Sequence, residues 1–260
     1  MAGIAVGVER DGAIATVTID RPEAMNALDR PTLEELCSRL SELAGDAEVG
    51  VVVLTGSGEK AFVAGADIKY MSGLTVEEAT AWGELGHRCT ELLETMPQPT
   101  IAAIHGFALG GGCELALACD LRYASPGAKL GQPEINLGII PGWGGTQRLA
   151  RATTIGFAKE LILTGRMVDA TEAKERGLVN AVYEPDELMA KSLETAGALA
   201  KLSPIALAAA KAAANRALQG DHADNLTSEA EHFGELFASE DAREGLSAFV
   251  EKRDARFTGR

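Results

Sequence analysis

The chain has 260 residues, 46% hydrophobic and 24% charged, with a formal net charge of −14. That length suits one large domain, or a core with a smaller appendage, and the composition is that of an ordinary globular protein. The acidic balance argues against broad nucleic-acid binding, which needs basic patches for phosphate, and no apolar run approaches the roughly 18 residues that suggest a membrane span. Four cysteines (Cys37, Cys89, Cys113, Cys119) show neither a Cys-x-x-Cys pair nor metal-site spacing, and the N-terminus has no charged-then-apolar signal pattern. Reduced thiols and a cytoplasmic location are therefore expected.

Ile4 to Arg10 and Ala13 to Asp20 alternate apolar and polar residues around Asp11-Gly12, the pattern of a hairpin. Residues 21–28 form a turn-rich loop. Pro31 opens a helix through about Ala44, with Leu33, Leu36, Leu40 and Leu43 on one face. The β-branched run Val49 to Thr55 predicts a strand buried on both faces, ended by Gly56-Ser57-Gly58. Ala61 to Lys69 passes from a strand end through small residues to a helix start, with Asp67 a natural N-cap. Val76 to Thr95 reads as a long helix stopped by Pro97 and Pro99, and Thr100 to Ile104 as a buried strand. The triplet Gly110-Gly111-Gly112 then turns that strand into a helix whose body is Leu115 to Ala118, with Glu114 in its first turn. Asp120 to Ala124 and Lys129-Leu130 read as strands, residues 138–145 as loop, and Thr146 onward, Ile155 to Thr164 and Thr171 to Arg176 as helices. Val179 to Tyr183 is the last predicted strand. From Asp186 the chain reads as helices over 186–201, 204–219, 222–238 and 240–253. Strand–helix alternation over the first 180–190 residues and an all-helical tail define an α/β protein.

Two carboxylates stand out. Glu114 and Glu134 each lie at a turn-to-helix start among small or apolar neighbours. Solvent-exposed acids at helix starts would give the same pattern; a carboxylate in apolar surroundings holds its proton more tightly and suits acid–base work near neutral pH. The glycine-rich turns Ala64-Gly65-Ala66-Asp67 and Gly110-Gly111-Gly112 both follow strands. Tight strand–helix packing explains them. So does a pair of N–H donors converging on a negative oxygen, commonly worth about 3–4 kcal/mol in a barrier. No Gly-x-Gly-x-x-Gly, Gly-x-x-x-x-Gly-Lys-Ser/Thr, Gly-x-Ser-x-Gly or His-Glu-x-x-His occurs. The four histidines lie in unrelated settings; His105, at a strand end, reads as structural. No metal site is expected.

The motifs taken in order resemble one family over nearly the whole chain. They are Asn26-Ala27-Leu28, Ala64-Gly65-Ala66-Asp67-Ile68-Lys69, Gly106-Phe107-Ala108-Leu109-Gly110-Gly111-Gly112-Cys113-Glu114, Gly131-Gln132-Pro133-Glu134, Pro141-Gly142-Trp143-Gly144-Gly145-Thr146-Gln147-Arg148-Leu149 and Ala248-Phe249-Val250-Glu251-Lys252-Arg253. The family is the crotonases, the enoyl-CoA hydratases and isomerases. The resemblance implies a spiral of ββα units over residues 1–190 carrying the active site, and a C-terminal helical trimerisation region over 191–260. It implies trimers, or hexamers built as dimers of trimers, and an acyl-CoA thioester substrate without a further cofactor. The implied activity is reversible syn addition of water to trans-2-enoyl-CoA, giving 3-hydroxyacyl-CoA, in fatty-acid β-oxidation or related acyl-CoA metabolism. The N–H groups of Ala66 and Gly111 would hold the thioester oxygen, with Glu114 and Glu134 holding a water. Asn26, Ala27, Leu28, Ala64, Asp67, Ile68, Lys69, Gly142 and Trp143 would line the thioester's path, and Phe249 and Lys252 would reach it from a neighbouring subunit. Bulky Trp143 would shorten the acyl pocket, or simply pack. A Δ3,Δ2-enoyl-CoA isomerase and a non-catalytic CoA- or RNA-binding relative remain alternatives at this point.

Overall fold

A computed structural model describes residues 5–217 and 219–260. The first element is the expected hairpin: β1 (Val6–Asp11) pairs antiparallel with β2 (Ile14–Ile19), and Gly12 takes the positive φ of the tight turn. Ile4, at the start of the predicted strand, lies outside the described residues, as does Leu218 near the end of a predicted tail helix. Asp29 caps α1 (Arg30–Ala44), accepting a hydrogen bond from Thr32 N, and Pro31 sits in its first turn. β3 (Val51–Gly56) is buried along its whole length. Its alternate side chains serve two cores. Val52 and Leu54 join Leu33, Leu36 and Leu40 of α1, whereas Val51 and Val53 meet Leu188 and Ala196 from a later helix. A strand with both faces covered needs no polar side, so the unbroken apolar run follows.

β4 (Ala61–Val63) leads to a short helix, α2 (Ile68–Met71), capped as expected by Asp67 through Lys69 N and Tyr70 N. A capping box between Thr75 and Glu78 starts α3 (Val76–Thr95), and β5 (Thr100–Ile104) follows. The chain next forms β6 (Phe107–Leu109), a three-residue strand not anticipated from sequence, and α4 (Gly111–Ala118) begins directly after it. The glycine triplet is the cap and first turn of α4, with Glu114 in that turn as expected, and it follows β6 rather than β5 directly. β7 (Leu121–Ala124), β8 (Lys129–Gly131), α5 (Gly145–Ala152), α6 (Ile155–Thr164), a second unanticipated strand β9 (Met167–Asp169), α7 (Ala170–Glu175) and β10 (Ala181–Val182) complete the alternating part. Glu134 lies in a 3-10 turn, Pro133–Leu137.

The strands form two sheets. One has the order β1-β2-β3-β5-β7-β10, parallel except for the hairpin; the other has β4-β6-β8-β9, parallel except for β8–β9. From β3 to β8 successive strands step alternately from one sheet to the other, as in β3 to β4, β5 to β6 and β7 to β8. Each step ends at a helix or turn, and those ends collect the site.

Of the tail helices, α8 (Leu188–Leu199) still belongs to the sheet, which it covers through Leu188 and Ala196. Residue 190 lies inside it, so the helices that leave the sheet are α9 (Pro204–Arg216), α10 (His222–Leu236) and α11 (Glu240–Glu251). α9 docks on the end of α3. Lys211 Nζ donates to Leu93 O and Gln98 O and pairs with Asp120, and Asn215 Nδ2 donates to Glu94 O. α10 and α11 expose Leu226, Phe233, Phe237, Leu246, Phe249 and Val250.

Asn26 holds three elements together from a left-handed backbone position. Its buried Oδ1 accepts from Arg21 N at 2.9 Å, and its Nδ2 donates to Ser57 O at 2.9 Å and to Ala61 O at 2.8 Å. Substituting Asn26→Ala strands these three backbone groups, at about 2–4 kcal/mol. The expected outcome is a fall of several degrees in the calorimetric unfolding temperature; an unchanged midpoint would show that these bonds contribute nothing net.

Candidate active site

Each glycine of the triplet answers to a different neighbour. Gly110, at φ +51, caps α4, and a Cβ there would lie 2.6 Å from Glu134 Oε1. A Cβ on Gly111 would lie 2.3 Å from the Trp143 ring, and one on Gly112 only 2.0 Å from Val63 O. Contacts under 3 Å cannot be absorbed by backbone or a packed indole, so the start of α4 is pressed against three surfaces at once. Tight packing, one of the two readings of this stretch, is realised.

The loop after β4 is held just as closely. Ala64 N donates to Met25 O, Leu28 N to Gly65 O and Asp67 N to Leu28 O, at 3.1, 2.9 and 2.8 Å. This ladder uses Ala64 N and Asp67 N and leaves Gly65 N and Ala66 N without an acceptor among the described residues. Gly111 N, in the first turn of α4, also donates to nothing among them. The two donors are neighbours: a Cβ built on Gly65 would lie 3.9 Å from Gly111 N. Two unpaired N–H groups side by side, one at the positive end of a helix, attract a negative oxygen.

Glu114 is buried on α4, and its Oε1 accepts from Trp143 N and Gly145 N, both at 2.7 Å. Oε2 has no protein donor among the described residues. Burial pushes this carboxyl from an ordinary 4.5 up to about 7, against the opposing pull of the two N–H groups and of the Arg148 guanidinium. Glu134 is half-buried and is also pushed up to about 7, by burial first and by the nearby Glu114 charge second. Fully buried Gln132 lies between the elements carrying the two acids. With its amide oriented to satisfy both ends, its nitrogen donates to Glu134 Oε1 at 3.2 Å and Oε2 at 3.3 Å. Two carboxyls that hold protons near neutrality can divide the work of acid and base.

All four groups line one cavity of about 460 Å³. Ala66 and Gly111 form one part of its wall, Glu114 and Glu134 another, and the remainder is mostly apolar, including Met71, Leu74, Leu137 and Ile140. Trp143 also lines it, edge-on to Trp82 at 5.2 Å between ring centroids, with Tyr70 beyond at 5.1 Å from Trp82. The indole is thus packed and pocket-forming together. Ala64, Ile68 and Gly142 line the same cavity. Ala27, Asp67 and exposed Lys69 do not, and the side chains of Asn26 and Leu28 are buried in the scaffold. Phe249, 85% exposed, and Lys252 lie on and just beyond α11, away from the cavity. His105 lies outside it too. Sequence reasoning gave no role to Gln132, Trp82 or Arg148. Gln132 is the N-cap of the 3-10 turn that carries Glu134, two positions before it, and that closeness in sequence was the one available signal. Among the described residues, no group of three or more His, Cys, Asp or Glu is placed to hold a metal ion.

A carboxyl pair and two backbone N–H groups without an acceptor among the described residues, all lining one mostly apolar cavity, suit proton transfer beside a carbonyl-type oxygen. Comparison with known proteins makes the class specific. The family model described as enoyl-CoA hydratase/isomerase matches residues 9–260, and the chain belongs to that family. It is 48% identical over 246 residues to a short-chain-enoyl-CoA hydratase of Clostridium acetobutylicum, covering 95% of this chain and 94% of the relative. It is 46% identical over 250 residues to a crotonyl-CoA hydratase of Syntrophomonas wolfei, covering 96% of each. The crystal structure of an enoyl-CoA hydratase from Bacillus anthracis superposes with a TM-score of 0.95 at 42% identity, covering 98% of this chain and all of that one.

The raised affinity of Glu114 for its proton also bears on stability. A carboxyl at about 7 when folded, against an ordinary 4.5, favours folding fully below 4.5, and that contribution is lost as pH rises to 7. Glu114→Gln keeps an acceptor for Trp143 N and Gly145 N without a buried charge. The variant is expected to unfold at higher temperature than the wild type at pH 8, by at most about 3 kcal/mol, with the gap closing toward pH 4.5. Thermal denaturation across that range checks it; a gap that widens on acidification contradicts the assigned shift.

Proposed function

We propose that the protein is an enoyl-CoA hydratase that adds water reversibly across the double bond of trans-2-enoyl-CoA. The observation that carries this reading is the single cavity shared by Ala66 N, Gly111 N, Glu114 and Glu134. The thioester oxygen sits between the two N–H groups, which stabilise the negative charge that builds there as the double bond is attacked. Glu114 is the base. Its two N–H partners and Arg148 favour its ionised form, and it takes a proton from water as the water oxygen bonds to Cβ. Glu134, kept protonated by burial and by the Glu114 charge, delivers its proton to Cα. The proton on Glu114 then returns to Glu134 through solvent, and the cycle closes. Both carboxyls act from one side of the alkene, which gives syn addition. The chemistry calls for no metal or nicotinamide, and CoA enters as part of the substrate.

Short acyl chains fit best. Trp143 and Trp82 form an aromatic wall to the cavity, with Tyr70 packed behind Trp82, and the relatives named for short-chain and crotonyl substrates support the same preference. The loop Asn26–Leu28, Asp67, Ile68 and Lys69 lead from the cavity to the surface and carry the nucleotide end of CoA. Phe249 and Lys252 contribute from a neighbouring subunit. The apolar faces of α10 and α11 make that contact in a trimer or hexamer, and the protein works in the cytoplasm.

Loss of the conjugated enoyl-thioester absorbance of crotonyl-CoA is the direct assay. Glu114→Gln and Glu134→Gln each lower kcat by about 10²–10⁴-fold; full activity in either rules the mechanism out. A 3-enoyl thioester consumed faster than the 2-enoyl one would move the assignment to isomerisation. Light scattering is expected to give the mass of a trimer or hexamer, and a monomer at working concentration would remove Phe249 and Lys252 from the site.

A further inference from the structure

Glu114 is oriented by a loop, and that loop has its own anchor. Arg148 on α5 reaches back to it, donating from Nη1 to Trp143 O at 3.0 Å and to Thr90 Oγ1 at 3.1 Å. Its Nε and Nη2 both donate to Glu94 Oε2, at 2.9 and 2.6 Å. The Thr90 hydroxyl donates in turn to Trp143 O at 3.2 Å. Gly144 is moulded on the guanidinium: it takes φ +101, and a Cβ there would lie 2.2 Å from Nη1. The same peptide segment supplies the two N–H groups on Glu114 Oε1. Both members of the ion pair are mostly buried, with side-chain exposures of 14% for Arg148 and 24% for Glu94. The end of α3 that carries Glu94 is itself fixed by Asn215 and Lys211 of α9.

We propose that Arg148 and Glu94 are positioning residues for Glu114. The ion pair fixes the Trp143 carbonyl, and through it the two N–H groups that orient the reacting carboxylate. Neither residue touches substrate; both act through residues 143–145. A planar guanidinium suits the task because its fork serves Glu94 on one edge and Trp143 O on the other, which a lysine ammonium cannot do in one geometry. The inference rests on the hydratase reading for its kinetic consequences but not for its structural ones.

The charges around Glu114 set the direction of the effect. Arg148 faces it from α5, and Glu134 from the 3-10 turn. The adjacent Cys113 thiol is pushed up to about 12 by burial and stays neutral. Around Arg148 lie Glu94, His87 and Glu91 from α3, Arg151 from its own helix, and Lys211 and Arg216 from α9. Removing Arg148 takes away the one cation acting on Glu114 among the described residues and loosens both N–H bonds. Each change favours the protonated carboxyl.

The test is the pH profile of crotonyl-CoA hydration by Arg148→Met, Arg148→Lys, Glu94→Gln and the Met/Gln double variant. Alongside it runs infrared titration of the protonated Glu114 carboxyl, assigned by its absence in Glu114→Gln. Arg148→Met is expected to lose about 10–100-fold in kcat, with little change in KM. Its acidic limb should move up by about one pH unit, with the infrared titration moving equally. Arg148→Lys recovers part of the limb shift. Glu94→Gln shows a smaller loss in the same direction, and the double variant is no worse than Arg148→Met, because Glu94 acts through Arg148. A rate loss with an unmoved limb and an unmoved infrared titration, or additive losses in the double variant, overturns the proposal. If Arg148→Met does not fold, the infrared titration of Glu94→Gln decides. If the wild type does not hydrate crotonyl-CoA, the infrared titration still reports on positioning, and only the hydratase reading fails.

Discussion

A charged carboxylate in a protein interior is tolerable only if donors are brought to it, and this requirement organises the centre of the molecule. Glu114 lies on a short helix with no water-facing side. Its compensation comes from a loop that follows it by some thirty residues and presents two N–H groups to one oxygen. The fold spends three structural devices on that meeting. Glycines thin the start of α4, an arginine ties down the loop, and the last turns of α3 are braced from behind by α9. The arginine and the α9 residues meet no reacting atom, yet the placement of the carboxylate depends on them as it does on the glycines.

The two-sheet layout explains why such a meeting occurs where it does. β3, β5 and β7 of the large sheet each hand the chain to the small sheet, and the turns that follow collect at the cavity. The loop after β4, the start of α4 and the turn after β8 are consecutive instances of one step. One supplies Ala66 N, the next Gly111 N and Glu114, and the third Glu134. A single architectural operation, repeated three times, thus delivers two donors and two acids to one cavity.

The class of the fold and the long elements were legible in the residues; Glu114, Glu134 and the two glycine-rich turns stood out there, while Ala66 and Gly111 were singled out by the family resemblance. α3 and β5 fall where Pro97, Pro99 and the apolar runs place them, because punctuation and periodicity are local signals. β6 and β9 escaped notice because three residues carry no period. Their identity as strands comes from partners such as Lys129 to Gly131, which pair with both. The start of α4 fell where Glu114 in its first turn placed it; glycine lacks helix propensity, and close packing of residues 110–112 makes a helical first turn hold there. Arg148 and Gln132 were visible as letters but not as parts. A role that consists of touching a carbonyl or a carboxylate across the fold has no signature in one dimension. Asn26 shows the reverse case: its motif was legible, but its side chain is used up in bracing Arg21, Ser57 and Ala61.

Trp143 fills space that two other residues leave open. A Cβ on Gly86 would fall 2.0 Å from its Cδ1, just as one on Gly111 would strike the opposite edge of the indole. The three positions therefore form a lock that cannot be altered one part at a time. A side chain at residue 86 or 111 is excluded while the tryptophan stands, and shrinking the tryptophan alone leaves a hole beside two glycines. Related sequences that reshape this end of the cavity must cross by compensated steps, the ring receding before either glycine acquires bulk. The order in which such changes accumulate is dictated by a contact between one indole and two missing methyl groups.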